Sequence, residues 1–451
     1  MNQFFRCATT LILLAAIAAT SSQLQAQSAL ELLSGFDAAR IEAAYPPGDS
    51  ESFGELAKII YRLKRVSDDG IESKIAAETT PLELGDAIRV TGTIKSLRTL
   101  KVPDNLVEFL EFPVFQDIVI SVATEDAEAS DEPTSHEAAS HEATYNTKTL
   151  NLIAARLPTG AAVGDRIEAV GVVIEENADS ESSFPLAMAS GHVKWFPSQP
   201  PSNGWRLLSQ AGVDVSELAD VGDRNRQPLM AADNDAFYQM LAVSQQIADT
   251  PLAAQLEPTW IVPVDLLREP KKFTGDWLRM QLRTVRVTRI AVTDPERQKQ
   301  LGSDHYFQID ANGDLGNVVV QIARPDGETG EPVRFEGMYP VSLVMKELPG
   351  FLSKAIQEQE GGDAVVALIS KPIQVEGFFF RLWSYSSDYM ERQNAGDQFG
   401  PLLMVARMND RSSVGTGGVG VEVIGYVAAF VIVGGILATL IWSRVNSGED
   451  L

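Results

Sequence analysis

The chain has 451 residues, with 37 basic and 61 acidic side chains and a formal net charge of −24 at pH 7. Such a negative surface repels phosphate backbones, which argues against a nucleic-acid partner, and it also disfavours binding to anionic lipid headgroups. Cys7 is the single cysteine. A mature chain without it has no disulfide, thiol nucleophile or thiolate metal site.

The first 26 residues have the pattern of a secretory signal peptide. Arg6 precedes an apolar run at 11–19, and polar and small residues follow it up to Ala26. The apolar run is too short to span a bilayer with ease. We therefore predict cleavage after Ala26, which removes Cys7, and export of the remaining chain.

A second apolar segment, residues 423–442, predicts one transmembrane helix. Its length without a charge is enough to cross a hydrocarbon core of roughly 30 Å. Trp442 and Arg444 lie where a membrane interface would be. Signal and span together predict an extracytoplasmic (periplasmic) chain in the cell membrane with a cytoplasmic tail at 443–451.

The span also contains a candidate face for self-association. Gly434 and Ala438 are four residues apart, a spacing that allows two membrane helices to approach closely. A Gly- and Ser-rich stretch at 409–422 precedes the span and is predicted to be a flexible tether.

The mature chain opens with a predicted helical region at 27–80. Ser52 and Glu55 have the spacing of a capping box. The apolar residues after them recur at helical spacing and predict one buried face: Leu56, Ile59, Ile60 and Leu63.

Residues 81–196 are predicted to form a small β-barrel module. Turn signals separate five segments with strand character, namely 87–97, 116–123, 149–157, 166–175 and 184–196. The acidic stretch 124–148 between the second and third segments is predicted to be a disordered insert, since its composition cannot bury a core. Its His136 and His141 are five residues apart and share no helical face, so no metal site is expected.

A connector at 197–271 is predicted to contain a helix at 235–248 that presents Phe237, Met240 and Leu241 on one side. After this helix, prolines are predicted to keep the chain extended: Pro251, Pro258, Pro263 and Pro270.

Residues 272–408 repeat the β pattern and predict a second barrel module. Its predicted strands are 277–292, 305–310, 317–323, 364–382 and 401–407. Three pairs of segments correspond in order between the modules: Gly85-Asp86 with Gly275-Asp276, 153–156 with 321–324, and 184–188 with 400–404. The predicted fold is therefore mainly β, with two tandem barrels of the oligonucleotide/oligosaccharide-binding (OB) type, helical segments and one C-terminal transmembrane helix.

No segment carries a complete catalytic or metal motif, and Gly415, Gly417 and Gly420 match the dinucleotide fingerprint only as a string, since they precede the predicted membrane span and not a strand–helix unit. Asp310, Asn312 and Asp314 resemble the start of a calcium loop, but Leu315 stands where the loop needs glycine. Asn312-Gly313 instead predicts a two-residue hairpin turn. No nucleophile elbow, zinc motif or Walker loop occurs, so no cofactor is expected. His192 and His305 are the histidines outside the insert, and a hydrolase could use either.

The segment 377–385 is rich in aromatic residues and predicts a binding surface. Strand alternation places Phe378, Phe380 and Leu382 on one face, which suits a barrel core. The opposite face would carry large aromatics around an arginine, a composition typical of binding hot spots. These partner-binding candidates are Phe379, Arg381, Trp383 and Tyr385. Cover by the helix at 235–248, or by the first barrel, is the alternative to a partner.

This segment resembles uncharacterised exported membrane-anchored proteins of planctomycete bacteria, together with 236–241, 263–270 and Pro401-Leu402-Leu403. The resemblance covers the chain from Phe237 to the membrane helix. It implies an exported chain with a C-terminal span, and it brings no activity and no catalytic residues.

The sequence predicts a membrane-anchored extracytoplasmic binding or assembly protein of the bacterial envelope, whose partner is a protein or a glycan. Two alternatives stay open. One is an envelope hydrolase that uses carboxylates or His305, and the other is a purely structural subunit of a membrane complex.

Overall fold

The computed structural model describes residues 29–75, 82–123, 147–158, 160–176, 185–324, 331–360 and 366–412. The predicted signal peptide, residues 124–146 of the predicted insert, Gly434, Ala438 and the rest of the predicted span, and the predicted cytoplasmic tail lie outside the described residues. The predicted end of the insert at 148 is wrong, because a strand begins at Thr147. Within the described part, no helix has both the length and the apolar character that a membrane crossing requires.

The chain divides into two compact units, one made of Met1–Pro200 with Asp214–Ser216 and the other of Pro201–Val213 with Glu217–Leu451. In its described residues the first unit has a 3-10 helix at Ala29–Leu32 and the α-helices α1 (Ala38–Ala44), α2 (Ser50–Leu63), α3 (Asp68–Glu72) and α4 (Asp104–Leu110). Its strands are β1 (Ala87–Lys101), β2 (Val114–Ala123), β3 (Thr147–Ala154), β4 (Arg166–Glu175), β5 (Ala187–Ser190) and β6 (Val193–Phe196).

Five strands of the first unit close into a barrel. β1 pairs with β2 and β4, β2 pairs with β3, β3 runs parallel to β5, and β5 returns to β4. β6 extends this sheet from β4. The prediction of a mainly β chain with helices and a five-stranded barrel is confirmed.

The helix α2 packs on the barrel through the face that the sequence predicts. Its buried residues include Leu56, Ile59, Ile60 and Leu63, which join Val170, Val172 and Ala187 in one apolar cluster. The contact is tight at Gly191, where an added Cβ would lie 2.4 Å from the carbonyl carbon of Leu63. The predicted helix start is wrong, because Asp49 is the N-cap and Ser52 occupies the third helical position.

The described residues of the second unit contain a 3-10 helix at Ala231–Asp233 and the helices α5 (Asn203–Gln210), α6 (Ser216–Asp223, whose first residue belongs to the first unit), α7 (Asn234–Ala248), α8 (Pro251–Gln255), α9 (Pro263–Arg268), α10 (Pro270–Phe273), α11 (Pro295–Leu301), α12 (Gly350–Glu360) and α13 (Asp388–Arg392). The strands are β7 (Thr259–Trp260), β8 (Trp277–Ala291), β9 (His305–Ile322), β10 (Val333–Met345), β11 (Val366–Leu368), β12 (Pro372–Tyr385) and β13 (Gln398–Asp410).

The second unit closes its sheet in the same strand order. β8 pairs with β9 and β12, β9 pairs with β10, β10 runs parallel to β13, and β13 pairs with β12. β7 and β11 pair with β8. The interior is apolar and includes Leu278, Met280, Ile309, Leu343, Val375 and Leu403.

Two of the predicted correspondences between the barrels occupy equivalent backbone positions. Gly85, before β1, donates its N–H to Val173 on β4, and Gly275, before β8, donates to Phe379 on β12. Both glycines have positive φ, 87° and 79°. In the fifth strands, Met188 lies beside β3 and Met404 lies beside β10, each in a parallel pair. The third correspondence is wrong, because 153–154 lie on β3 whereas 321–322 lie on β9, a second strand.

The hairpin predicted at Asn312-Gly313 is wrong. Both residues lie inside the continuous strand β9, paired with β8 and with β10. Glycine is needed here because an added Cβ would lie 2.5 Å from Cγ of Pro263. One long strand was thus predicted as two short ones, and β10 was missed.

The connector prediction is correct for the helix and wrong for the prolines. Phe237, Met240 and Leu241 are buried on α7. Pro251, Pro263 and Pro270 each begin a short helix instead of extending the chain, since proline suits the first helical turn. The predicted tether begins too early, because β13 continues to Asp410.

Candidate functional site

The four predicted partner-binding residues do not share one face of β12. The register against β13 shifts between Phe379 and Arg381, which leaves Phe380 as an extra, bulged residue. A bulge reverses the alternation of side chains. Phe379 consequently lies in the barrel core with Leu382. Arg381, Trp383 and Tyr385 are on the opposite side of the strand from Leu382.

The predicted core role of Phe378 and Phe380 is also wrong. Both are fully buried, but neither belongs to the barrel interior. Phe378 packs against Trp277 at a centroid distance of 5.9 Å, and Phe380 meets Phe237 of α7 edge-on, also at 5.9 Å. The connector helix therefore covers this part of the strand.

Arg381 is 0% exposed and is held by the segment before α7. Its Nη2 donates to Oδ2 of Asp233 at 2.7 Å and to the carbonyl of Pro228 at 2.7 Å. Its Nη1 donates to the carbonyls of Arg224 at 2.6 Å and Gln227 at 2.8 Å. This arginine fastens one segment of the unit to another and offers no surface to a partner.

The carboxylate of Asp233 is ionised in this buried pair. Burial on its own would raise its pKa, but the backbone N–H of Met230 and the guanidinium groups of Arg224 and Arg381 together hold the pKa below its usual value. Burial lowers the pKa of Arg381, and the hydrogen bond to Asp233 opposes that effect. Both partners remain charged, as a compensated buried pair requires.

Trp383 and Tyr385 are half-buried and stack on each other, with ring centroids 4.7 Å apart. The hydroxyl of Tyr385 accepts a hydrogen bond from Nε2 of Gln398 at 2.9 Å. Burial raises the pKa of Tyr385. Of the predicted stripe, these two residues retain some exposed surface.

A cleft of about 360 Å³ opens at one end of the second barrel. The loop between α11 and β9, the first residues of β9, the residues that follow β10 and the first turn of α12 form its wall. Its lining combines polar groups with two apolar side chains: Gly302, Ser303, His305, Phe307, Lys346, Glu347, Leu348 and Ser353.

His305 is oriented by its own loop. Its Nδ1 lies 2.5 Å from Oδ1 of Asp304, 3.2 Å from Nη2 of Arg289 and 3.4 Å from Oγ of Ser303. The hydrogen bond from His305 lowers the pKa of the exposed Asp304 carboxyl. The ring packs edge-on against Phe307, with centroids 5.2 Å apart. Among the described residues, Nε2 has no hydrogen-bond partner.

Lys346 is the cation in the lining of the cleft. Its ammonium forms no ion pair with any carboxylate of the described residues, and an added Cβ on Gly302 would lie 3.4 Å from it. Together with the hydroxyls of Ser303 and Ser353, it provides donors around an aromatic ring. Such a lining suits a polar ligand with an apolar edge.

The first unit has an imidazole–carboxylate pair of its own. Nε2 of His192 lies 2.8 Å from Oδ2 of Asp214, which is 1% exposed on its side chain. Burial would raise the pKa of Asp214, but hydrogen bonds from His192, Ser216 and Trp195 lower it overall. Burial raises the pKa of the nearby Asp68 carboxyl.

No family model matches the chain, and no curated protein matches it. The sequence pointed to His305 as a candidate site residue but not to Phe307 or Lys346. Lys346 is 41 residues further along the chain, and no known motif links the three residues. Only the alternation of β9, which places His305 and Phe307 on one side, could have linked two of them.

Proposed function

We propose that this chain is a membrane-anchored extracytoplasmic binding or assembly protein of the bacterial envelope, built on two OB-like barrels. The closed order of first, second, third, fifth and fourth strand, with the third and fifth parallel, supports that fold type in both units. The signal peptide at 1–26, the span at 423–442 and the likeness to planctomycete exported proteins are parts of the same proposal.

The cleft carries this proposal. It lies where the second strand of the second barrel begins, next to the loop before that strand, and where the third strand ends. OB-type barrels bind oligosaccharides and oligonucleotides through their second and third strands and the adjoining loop. The net charge of −24 disfavours the oligonucleotide. A glycan of the envelope is therefore the ligand that we propose.

The hydrolase alternative has weaker support at His305. In a Ser–His–Asp relay the hydroxyl and the carboxylate occupy opposite ring nitrogens. Here Ser303 and Asp304 both approach Nδ1. The pair of His192 and Asp214 in the first unit, beside an Asp68 with raised pKa, is the better basis for that alternative.

A glycan array probed with the full-length chain in detergent tests the proposed function. We expect bound glycans with the natural sequence and roughly tenfold weaker binding for Lys346→Met and His305→Gln, because the first removes the ammonium and the second removes the imidazole ring from the cleft, and neither position lies in the barrel core. Lys299→Met, at an exposed lysine of α11, is the matched control and should bind normally. Equal binding by all variants would contradict the cleft as the site.

A further inference from the structure

The outer face of β8, β12 and β13 carries a regular set of polar side chains. Three cross-strand rows lie in register: Arg279, Glu376 and Arg407; Gln281, Gln374 and Asn409; and Arg283, Pro372 and Arg411. The apolar residues between them, such as Met280 and Val375, face the core. The C-terminal end of α7 borders this face, where Nη2 of Arg407 donates to the carbonyl of Ala248 at 2.7 Å.

This face is basic although the chain is strongly acidic. Its four arginines, Glu376 and the Asp249 carboxylate that lies 4.0 Å from Arg407 give a formal charge of 4 − 2 = +2. Glu376 is the buried centre, with Arg279 at 2.9 Å and Arg407 at 3.4 Å. Arg283 is exposed and forms no ion pair with any described residue. Arg411 donates to Oε1 of Gln374 at 3.0 Å and forms no ion pair with a carboxylate in the part of the chain that the structure describes.

An exposed tryptophan lies at the edge of the first row. Trp260 on β7 is 53% exposed and is the register partner of Arg279, whose guanidinium lies 5.5 Å from the ring centroid. Tryptophan and arginine together are typical of surfaces that meet the headgroup region of a bilayer, where an amphipathic ring and a cation both find partners.

The chain leads from this face to the proposed membrane anchor. β13 ends at Asp410, and about 12 residues, 411–422, separate it from the predicted span. Fully extended, they reach no further than roughly 40 Å. An anchored barrel would therefore stay close to the lipid surface, with Arg411 at the start of the connection.

We propose that this basic sheet face docks on the anionic lipid headgroups of the extracytoplasmic leaflet and sets the orientation of the second barrel on the membrane. The inference rests on the anchor in the proposed function. Only this basic face is attracted to the anionic lipid surface, because the rest of the protein is acidic and is repelled by it. The test must distinguish docking on anionic lipid from binding of an acidic glycan to the same face.

The absence of cysteine from the mature chain permits a direct test. The mature chain, without residues 1–26, carries one donor dye at Gln281→Cys and is reconstituted in nanodiscs of phosphatidylcholine, with or without phosphatidylglycerol and with a headgroup-labelled acceptor. We expect phosphatidylglycerol to increase energy transfer at low salt and high salt to abolish the increase. The increase should also be lost in Arg283→Glu with Arg411→Glu. The control reversal, Arg334→Glu on β10, should keep the increase. A donor at Val319→Cys on β9, away from this face, should show a smaller increase than the donor at Gln281→Cys.

Three outcomes would overturn docking of this face on anionic lipid. Equal energy transfer in neutral and anionic discs, from a chain that resists alkaline extraction, would overturn the docking face and leave the anchor standing. A chain that alkaline extraction removes would overturn the anchor and the inference together. Binding of acidic glycans that the two reversals abolish, with no dependence on lipid charge, would assign the face to a glycan instead.

Discussion

At the scale of single residues, Arg381 shows where a sequence pattern misleads. Strand alternation placed it in an exposed stripe with Phe379, but the bulge at Phe380 separates the two. Nothing local encodes that bulge, since three consecutive phenylalanines fit either face. The arginine has instead five hydrogen bonds to backbone and carboxylate oxygens, so its role is to hold the unit together.

Removal of either charge from the buried pair of Asp233 and Arg381 should lower the free energy of unfolding. Asp233→Ala leaves Arg381 buried without its counter-ion, and we expect a loss of about 3–5 kcal/mol in the free energy of unfolding. Urea denaturation of the natural chain and the variant measures it. Arg283→Ala, at an exposed arginine, should change the value by no more than about 0.5 kcal/mol. A loss below about 1 kcal/mol for Asp233→Ala would contradict the account.

The same pair predicts a dependence of stability on pH. The folded-state pKa of Asp233 is lowered, so its contribution is present above the unfolded value of about 3.9 and is lost as pH falls through the folded pKa. Asp233→Asn should therefore be less stable than the natural chain at pH 7, with a difference that shrinks below about pH 4. Denaturation midpoints across this range measure it. A difference that stays constant with pH would be the contrary result.

At the scale of elements, the sequence predicted what periodicity controls. The buried faces of α2 and α7 and the strands of the first barrel follow from local patterns. β9 and β10 did not, because Asn312-Gly313 and the glycine and proline at 337 and 340 have turn-like composition inside paired strands. Tertiary packing decides whether these residues form a turn or lie inside a strand, and that packing cannot be read from a single sequence.

Gly313 provides a test at this scale. Its added Cβ would come within 2.5 Å of Pro263 and 2.9 Å of Leu282, so Gly313→Ala should lower the free energy of unfolding by about 1–3 kcal/mol. Gly350→Ala meets nothing within 4 Å and should have little effect. Thermal unfolding of both variants compares them. A fully stable Gly313→Ala would show that β9 does not pack as described.

At the scale of the whole molecule, the two barrels share their strand order and the positive-φ glycine before the first strand, and the proposed glycan cleft lies in the second. The acidic insert connects β2 to β3 in the first barrel. Ala123 and Thr147, the ends that it joins, are register partners in an antiparallel pair. A short turn can therefore connect them.

Replacement of residues 124–146 by a two-residue Asn-Gly turn should leave the melting temperature nearly unchanged, since such a turn suits an antiparallel pair and a long polar loop adds little to the closure entropy. Differential scanning calorimetry of the shortened and full chains tests this. A large fall in the melting temperature would mean that the insert contributes contacts to the first barrel.

The proposed ligand of the second barrel is an envelope glycan that binds in the cleft at His305 and Lys346. The most direct measurement is affinity capture of the tagged full-length chain from its native membranes, followed by quantification of co-purifying sugars. Sugar should co-purify with the natural chain and with Lys299→Met, and most of it should be lost with Lys346→Met. Sugar retained equally by Lys346→Met, or absent from the natural chain, would contradict glycan binding in this cleft.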